Sequence, residues 1–168
     1  YCSVMTDGID VRTAQSGDAD AIAQLMVHLG YESAPRTVAD RLSRILDRPD
    51  HRFLIAEAGE RPAGWLHAVI FDFVETGAFV VIAGLVVDRS RRRQGVGRLL
   101  MSRAEAWAVE QGCSIVRLWS SDARTEAHRF YEHLGYSHIK TQYSFVKSVD
   151  PSGRQDFAAF VPRLTDDR

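Results

Sequence analysis

A cluster of arginines and two glycines lies between an apolar segment and a helix-like segment. The run LVVDRSRRRQGVG covers residues 85 to 97, and RLLMSRAEAWAVE follows it. The first N–H groups of a helix lack intrahelical acceptors and lie at the positive end of its dipole, so an anion is stabilised there. Gly95 and Gly97 let phosphate oxygens approach these groups closely. Four side chains add permanent positive charge: Arg91, Arg92, Arg93 and Arg98. The pattern predicts a diphosphate-binding site and therefore a phosphorylated cofactor.

Two common phosphate-binding loops do not fit this run. A Walker loop ends in Gly-Lys-Ser/Thr, whereas Gly97 is followed by Arg98 and Leu99. A dinucleotide fingerprint requires a third small residue where this chain has Leu100. Nucleotide hydrolysis and dinucleotide binding therefore have little support.

The arrangement Arg92-x-x-Gly95-x-Gly97, preceded by Leu85-x-Val87, resembles the acyl-CoA binding motif of the GCN5-related N-acetyltransferase (GNAT) family. A second segment, EAHRFYEHLGY at 126 to 136, is similar to a later helix of that family, with its Ala-x-x-x-Tyr step followed by Gly-Tyr. The resemblance covers residues 77 to 147. Two motifs in the right order are more specific than either alone.

The resemblance implies roles for particular residues. Main-chain groups of Leu85, Val86 and Val87 would bind the pantetheine arm, and an amide near Leu85 and Val86 would polarise the thioester carbonyl. Tyr131 would protonate the departing thiolate, which suits a phenol with a pKa of about 10; a core aromatic is the alternative. The other predicted contacts to the cofactor are Arg92, Arg93, Gln94, Gly95, Val96, Gly97, Arg98 and Arg124.

The chain departs from the family pattern at three positions. Arg89 stands where relatives often have proline, and Arg93 stands where they usually have glycine. Arg124 replaces an asparagine of many relatives, and it is either a ligand for a phosphate of CoA or a solvated loop residue. The predicted diphosphate-binding site, which we call the cradle, is therefore bulkier and more basic than in most members of the family.

The sequence offers several candidates for the group that deprotonates the amine. His67 on a predicted strand, Glu75 in a hairpin and Glu32 after the first helix are candidates, directly or through a water. Tyr31 and Glu32 fall in a segment that lines the acceptor pocket in the family. The alternative for His67 is an ordinary strand residue without a catalytic role. The alternative for Tyr31 and Glu32 is a surface loop.

Composition limits the remaining possibilities. A net charge of -1 gives no overall basic field, so we expect neither nucleic acid nor an anionic membrane as a partner. Two cysteines form neither a disulfide framework nor a metal-ligand spacing, and the six histidines do not complete an H-E-x-x-H motif. We therefore predict that the protein binds no metal and is cytoplasmic. Cys113 is expected to be a small, buried hydrophobic side chain.

Hydrophobic periodicity predicts the elements that position these residues. Strands are expected at 9 to 14, 51 to 58, 64 to 73, 79 to 87 and 114 to 119, and strand-like runs at 136 to 147 and 157 to 161. Helices are expected at 18 to 29, 37 to 46, 95 to 110 and 125 to 134. The strand at 79 to 87 is apolar almost throughout, so it should be central, and Gly84 within it suggests a bulge or close contact with a ligand.

These observations predict a single N-acetyltransferase domain over residues 6 to 168. Residues 1 to 5 are expected to be disordered or foreign to the domain. Met5 is a plausible native start, which would make residues 1 to 4 foreign. The fold would be α/β, with helices on both faces of a mixed, mostly antiparallel sheet of about seven strands in the GNAT-like order β-α-α-β-β-β-α-β-α-β-β.

The expected function is direct transfer of an acetyl group from acetyl-CoA to a primary amine of a small molecule. Two alternatives stay open: a non-catalytic module that binds or senses acyl-CoA, and a protein acetyltransferase acting on lysine or an N-terminus. The apolar run at 157 to 161 would either form a homodimer contact or fold back onto the chain's own sheet.

Overall fold

A computed structural model describes residues 8 to 149 and residue 151. These residues divide into two compact units, one that ends at Trp119 and one that begins at Ser120, and each is described by itself. The expectation for residues 1 to 5 and the strand predicted at 157 to 161 lie outside the described residues. The single domain over residues 6 to 168 stays a prediction.

The first unit contains five strands and three helices in the order β1-α1-α2-β2-β3-β4-α3-β5. The strands are β1 (Ile9–Thr13), β2 (His51–Ala58), β3 (Arg61–Phe73), β4 (Gly77–Val87) and β5 (Val116–Leu118). The helices are α1 (Ala19–Met26), α2 (Pro35–Leu42) and α3 (Val96–Glu110). The second unit contains α4 (Thr125–His133). None of the helices in the described chain is both long enough and apolar enough to cross a membrane.

Helix α2 begins and ends earlier than the sequence predicted. It starts at Pro35, whose fixed φ suits the first helical position. It stops at Leu42 instead of Leu46. Two of the following N–H groups bond only three residues back, Arg44 to Arg41 and Ile45 to Leu42, which interrupts the α-helical pattern. The chain continues there as tight turns.

The five strands form one sheet in the order β1-β2-β3-β4-β5. The first three pairings are antiparallel, and β4 pairs with β5 in parallel. A mixed, mostly antiparallel sheet is therefore confirmed. The buried segment of β4 from Phe79 to Ile82 lies in the interior of the sheet, as its continuous apolar sequence predicted.

The prediction of about seven strands was wrong, since five are present among the described residues. Residues 136 to 149 contain no regular secondary structure, and Tyr143 and Phe145 are each 92% exposed. An extended segment becomes a strand only when a neighbouring main chain satisfies its hydrogen bonds, and nothing in the described chain pairs with this one. The local residue types that predicted a strand here do not supply that partner.

Helices cover both faces of the sheet. On one face, Phe53, Ile55 and Trp65 join a buried cluster with residues of α1 and α2, including Ile22 and Leu42. Arg52 points to the opposite face because side chains alternate along a strand. There its guanidinium lies 5.6 Å from the centre of the Trp107 ring on α3. We call the α1 and α2 side the first face.

Candidate active site

A β-bulge interrupts the pairing between β3 and β4. His67 lies opposite Gly84 and Ala68 lies opposite Ile82, so Ala83 is one extra residue on β4. The bulge predicted near Gly84 is therefore present. A Cβ at Gly84 would lie 2.7 Å from the Trp65 ring, so the position accepts no side chain while that buried ring stays in place.

Beyond the bulge, the edge of β4 that faces β5 becomes open. The Asp88 N–H donates to the Ala63 carbonyl, so the main chain at residue 88 points toward β3. Because main-chain groups two residues apart in a strand point to the same side, those of Val86 also point toward β3, where Trp65 lies opposite. The main-chain groups of Leu85 and Val87 then point toward the β5 side. Pairing with β5 stops at Ile82 opposite Leu118, and no other described strand takes up that edge. Two polar main-chain positions are thus left for a ligand.

The loop from β4 to α3 is held by its own side chains. The Asp88 carboxylate accepts hydrogen bonds from the N–H and the hydroxyl of Ser90, at 2.7 and 2.6 Å. The Gln94 side-chain amide donates to the Ser90 carbonyl at 3.1 Å. These contacts fix the turn that leads to Gly95, the residue at the N-cap of α3.

The main-chain N–H groups of residues 93 to 98 form a continuous run of free donors. Leu99 is the first residue of α3 whose N–H reaches a carbonyl, that of Gly95 at 2.9 Å. Within the part of the chain that the structure describes, none of the six earlier N–H groups donates a hydrogen bond of ordinary geometry. The sequence predicted such a cradle here, and the arrangement suits an anion.

Two left-handed residues shape this run. Gly95 has a φ of +85°, which glycine adopts without steric cost. Arg93 has a φ of +64°, which costs a residue with a Cβ about 1 kcal/mol. Arg93 occupies the position where the resembled family usually has glycine, so the main chain keeps the glycine-like turn. The Arg92, Arg93 and Arg98 side chains are all exposed and add charge around it.

We expect Gly84→Ala to lower the free energy of unfolding by about 1–3 kcal/mol, because the new methyl group overlaps the Trp65 ring. Thermal unfolding would measure the loss. Gly17→Ala is the matched control, since its Cβ would meet nothing within 4 Å and its φ is ordinary. The double variant with Trp65→Leu should recover part of the loss at position 84. Equal stability of the two alanine variants would contradict this packing.

His67 lies on the first face and forms a hydrogen bond that the sequence did not predict. Its Nε2 is 2.8 Å from Nδ1 of His51, and the two rings lie end to end, with planes 23° apart and centroids 5.1 Å apart. Phe53 stacks on the His67 ring, also at 5.1 Å. Burial, and secondarily the neighbouring His51, lowers the pKa of His67 to about 4. The ring is therefore neutral at physiological pH.

Stability should depend on pH through this histidine. The His67 pKa is about 4 in the fold against 6.5 for an ordinary histidine, so the unfolded chain binds the proton more tightly. The free energy of unfolding should fall by about 3 kcal/mol as the pH drops from 6.5 to 4, and this contribution should be flat above that window. Chemical denaturation across this range measures the slope. His67→Phe should reduce it, and an unchanged slope would contradict the assignment.

The other candidates for substrate contact are dispersed. Tyr31 is half-buried and Glu32 is exposed in the segment before α2, and the structure shows no hydrogen bond between His67 and either residue. Glu75 lies in the exposed turn beyond Phe73, at least six strand residues or about 20 Å from His67. Of the proposed bases, only His67 lies beside the bulge.

Tyr131 and Arg124 lie together in the second unit. Burial raises the pKa of Tyr131, and the positive charge of Arg124 partly opposes that shift. Arg124 is the N-cap of α4, and the Tyr131 ring packs edge-on against Phe130 and Tyr136. The Tyr131 hydroxyl therefore stays protonated well above neutral pH, as a proton donor must.

Sequence reasoning missed three residues that shape the site. His51 is the partner of His67, and Trp65 covers Gly84. At Gly64 a Cβ would lie 2.5 Å from the Val86 carbonyl oxygen, so only glycine fits there. A glycine inside an apolar strand was a visible signal for Gly64, whereas the other two depend on strand register.

Two further expectations concerned cysteine and metal. Cys113 is 4% exposed, which confirms a small buried side chain. Among residues 8–149 and 151, the structure brings no three side chains of metal-ligating type close enough to hold an ion.

Comparison with known proteins gives relatives of one kind. Acetyl transferase GW6a of Oryza sativa subsp. japonica is 36% identical over 87 residues, which cover 45% of this chain and 21% of that protein. The chain therefore spans about a fifth of the length of that relative. Aminoglycoside N(6')-acetyltransferase type 1 of Stenotrophomonas maltophilia is 27% identical over 149 residues, which cover 84% of this chain and 95% of the relative.

Solved structures share the fold. The structure of AAC(6')-Iy in complex with the bisubstrate analog CoA-S-monomethyl-acetylneamine superposes with a TM-score of 0.76 at 20% identity, covering 84% of this chain and 99% of that one. Residues 19–136 match the acetyltransferase (GNAT) family. The predicted family and the prediction of an acyltransferase enzyme are thus confirmed. The chain belongs to the acetyltransferase (GNAT) family.

Proposed function

We propose that the protein transfers the acetyl group of acetyl-CoA directly to a primary amine of a small molecule. The observation that carries the proposal is the run of free N–H groups at residues 93 to 98. A diphosphate presents several acceptor oxygens and negative charge to such a run, and the exposed arginines beside it favour the same ligand. Acetyl-CoA carries that diphosphate, and the family supplies the acetyl-transfer chemistry.

The open edge of β4 fits the remainder of the donor molecule. Leu85 and Val87 direct main-chain donors and acceptors away from β3, toward an edge that no described strand occupies past Ile82. We assign these groups to the pantetheine amides, and we assign the Leu85 N–H to the thioester carbonyl. Val86 would fix the spacing between Leu85 and Val87, because its main chain bonds toward Trp65 and its side chain is buried.

Acetyl-CoA supplies an acetyl group activated as a thioester. The chain's residues would orient that group, polarise its carbonyl through a main-chain donor and return a proton to the departing sulfur. We assign the last task to Tyr131, whose half-buried hydroxyl makes no hydrogen bond with another described residue. Arg124, close to Tyr131 in the second unit, would add positive charge for a phosphate.

Relatives support a small acceptor over a protein. The Stenotrophomonas maltophilia relative, 95% of whose length is matched, is named an aminoglycoside N(6')-acetyltransferase. AAC(6')-Iy was solved in complex with the bisubstrate analog CoA-S-monomethyl-acetylneamine. Both names point to amino groups on small molecules. We therefore propose a small polyamine or amino sugar as the acceptor class, with Tyr31 and Glu32 as candidate contacts.

A thiol-release assay tests the proposal. Acetyl-CoA would be incubated with a panel of aminoglycosides, polyamines and amino acids, together with peptides that carry a lysine or a free N-terminus. We expect thiol release with members of the first group and a matching acetylated amine by mass spectrometry. Faster turnover of the peptides would favour protein acetylation, and binding of acetyl-CoA without transfer to any amine would contradict the proposed reaction.

A further inference from the structure

We propose that His67 and His51 form a proton relay, which takes a proton from the incoming ammonium group beside the β4 bulge and delivers it to a surface cleft. The inference rests on the proposed function. It assigns the deprotonation step, for which the sequence left several candidates, to a hydrogen-bonded pair of rings on the first face.

The entrance of the relay lies beside the predicted acetyl site. Directly opposed residues of antiparallel strands share a face, so His67 and Gly84 lie side by side on the first face. Leu85, the next residue, is the one assigned to the thioester carbonyl. His67, Gly84 and Leu85 are all partly exposed. An amine approaching the carbonyl from this face therefore meets His67.

The two rings are held in a fixed geometry. The 2.8 Å distance between His67 Nε2 and His51 Nδ1 is that of a good hydrogen bond. Phe53 stacks on the His67 ring at 5.1 Å and packs against Trp65 at 5.3 Å, so aromatic neighbours fix the His67 side chain. A hydrogen bond between two nearly coplanar rings held in place lets one ring pass a proton to the other without a large movement.

The exit of the relay opens to solvent. His51 lines a cleft of about 330 Å³ together with Asp47, Arg48 and Arg52. Nε2 of His51 lies 3.9 Å from an Asp50 carboxylate oxygen, and the His51 side chain keeps 13% of its surface exposed. A proton that reaches His51 can therefore leave to water in the cleft, with a carboxylate beside it.

The step balances as a proton transfer. The N–H bond of the ammonium group breaks, a new N–H bond forms on the imidazole pair, and the amine keeps the electron pair with which it attacks the carbonyl. The pair then loses one proton to water in the cleft. It ends with the charge it had before, and no oxidant or other reactant is required.

The charges around the pair favour rapid release. Burial lowers the pKa of His51, opposed by Asp50 and assisted by Arg48, and the pKa of His67 is about 4. Both rings are therefore neutral at pH 7 and can accept a proton. A positive charge on either ring is poorly stabilised, so His67 does not hold the proton. The ring accepts it from the amine nitrogen while its other N–H proton passes to His51 and from there to water in the cleft.

The first test uses His67→Phe, which keeps a ring against Phe53 and removes both nitrogens. We expect kcat/KM for the amine at pH 7 to fall about 100-fold. The loss should shrink about tenfold per pH unit toward the pKa of the amine, because the free amine then comes from solution. Acetyl-CoA binding by calorimetry should be unchanged. Phe53→Leu, which disturbs the stack but removes no proton acceptor, should change kcat/KM equally at every pH.

A second test removes the outer ring. His51→Ala opens a space beside the cleft, and imidazole added to the buffer should restore part of the lost activity in this variant but not in His67→Phe. Nitrogen NMR of the wild-type protein without any ligand should show the two histidines titrating as one coupled pair below pH 6.5. This readout does not depend on turnover.

The outcomes separate the two proposals. A wild-type protein that releases no thiol with any amine overturns the proposed function and the relay together. An active wild-type protein whose His67→Phe variant keeps the same pH profile overturns the relay alone. Two histidines that titrate independently at ordinary pKa values would also overturn the relay, while leaving acetyl transfer intact.

Discussion

Replacing Gly97 with aspartate is expected to raise the Kd for acetyl-CoA about 100-fold without unfolding the protein. The new carboxylate would lie in the first turn of α3, among the free N–H groups of residues 93 to 98. Two like charges about 4 Å apart repel by about 4 kcal/mol near a protein surface, which exceeds the 2.7 kcal/mol or so that a 100-fold change requires. An acidic residue in the first turn of a helix favours the fold, so stability should not fall.

Isothermal titration calorimetry measures the binding, and thermal unfolding without ligand verifies the fold. Gly17→Asp is the matched control because its Cβ would meet nothing within 4 Å and its φ is ordinary. This variant adds the same charge outside the cradle, and it should bind acetyl-CoA as the wild type does. If Gly97→Asp also bound with the wild-type Kd, the diphosphate would not lie on this helix terminus.

Replacing Tyr131 with phenylalanine is expected to lower kcat about 100-fold and to leave the Kd for acetyl-CoA within about twofold of the wild-type value. The change removes one hydroxyl and keeps the ring that packs against Phe130 and Tyr136. Burial raises the pKa of Tyr131, so the wild-type enzyme should keep its proton donor well into alkaline conditions. Thiol release measured against pH tests both statements.

Tyr143→Phe serves as the control for that experiment. Tyr143 belongs to the same unit and is 92% exposed, so its hydroxyl should not affect turnover. Equal kcat values for Tyr131→Phe and the wild type would show that the leaving thiolate needs no proton from this residue. A lower melting temperature in Tyr131→Phe would instead indicate a packing role, which the sequence left as the alternative.

Local sequence signals predicted most elements around the site. Strand β2 was predicted at 51 to 58 and spans His51–Ala58, because an apolar run lies between Pro49 and Gly59. The free N–H run was predicted from Gly95, Gly97 and the arginines around them together with the resemblance to the family motif, since a helix start leaves its first donors unpaired. Gly84 likewise signalled the bulge. Signals of this kind depend only on neighbouring residues.

Features that depend on strand register could not be predicted. The contact between His51 and His67 requires β2 and β3 to pair in one particular register. That register depends on the turn after Ala58 and on a bulge in β3, where Ala63 is the extra residue opposite Ala56 and Glu57. The overlap of Trp65 with Gly84 also depends on register. A shift by one residue would turn these side chains to the other face.

The strand predicted at 136 to 147 failed for a related reason. Apolar residues recur through the segment, with Tyr143 and Phe145 on either side of Ser144, but its described residues pair with no strand and expose both of these rings. Alternation reports which residues could share a face, and hydrogen bonds to a neighbour decide whether a strand forms. The cleft beside His51 could not be predicted from local sequence either, since residues from distant parts of the chain line it.

The central claim is that main-chain N–H groups of residues 93 to 98 bind the diphosphate of coenzyme A, and amide NMR tests it most directly. A titration of the nitrogen-labelled protein with CoA should shift these six amides, slow their hydrogen exchange and leave the Gly17 amide unchanged. Saturating CoA that shifts amides elsewhere while residues 93 to 98 keep their free-state positions and exchange rates would contradict the account.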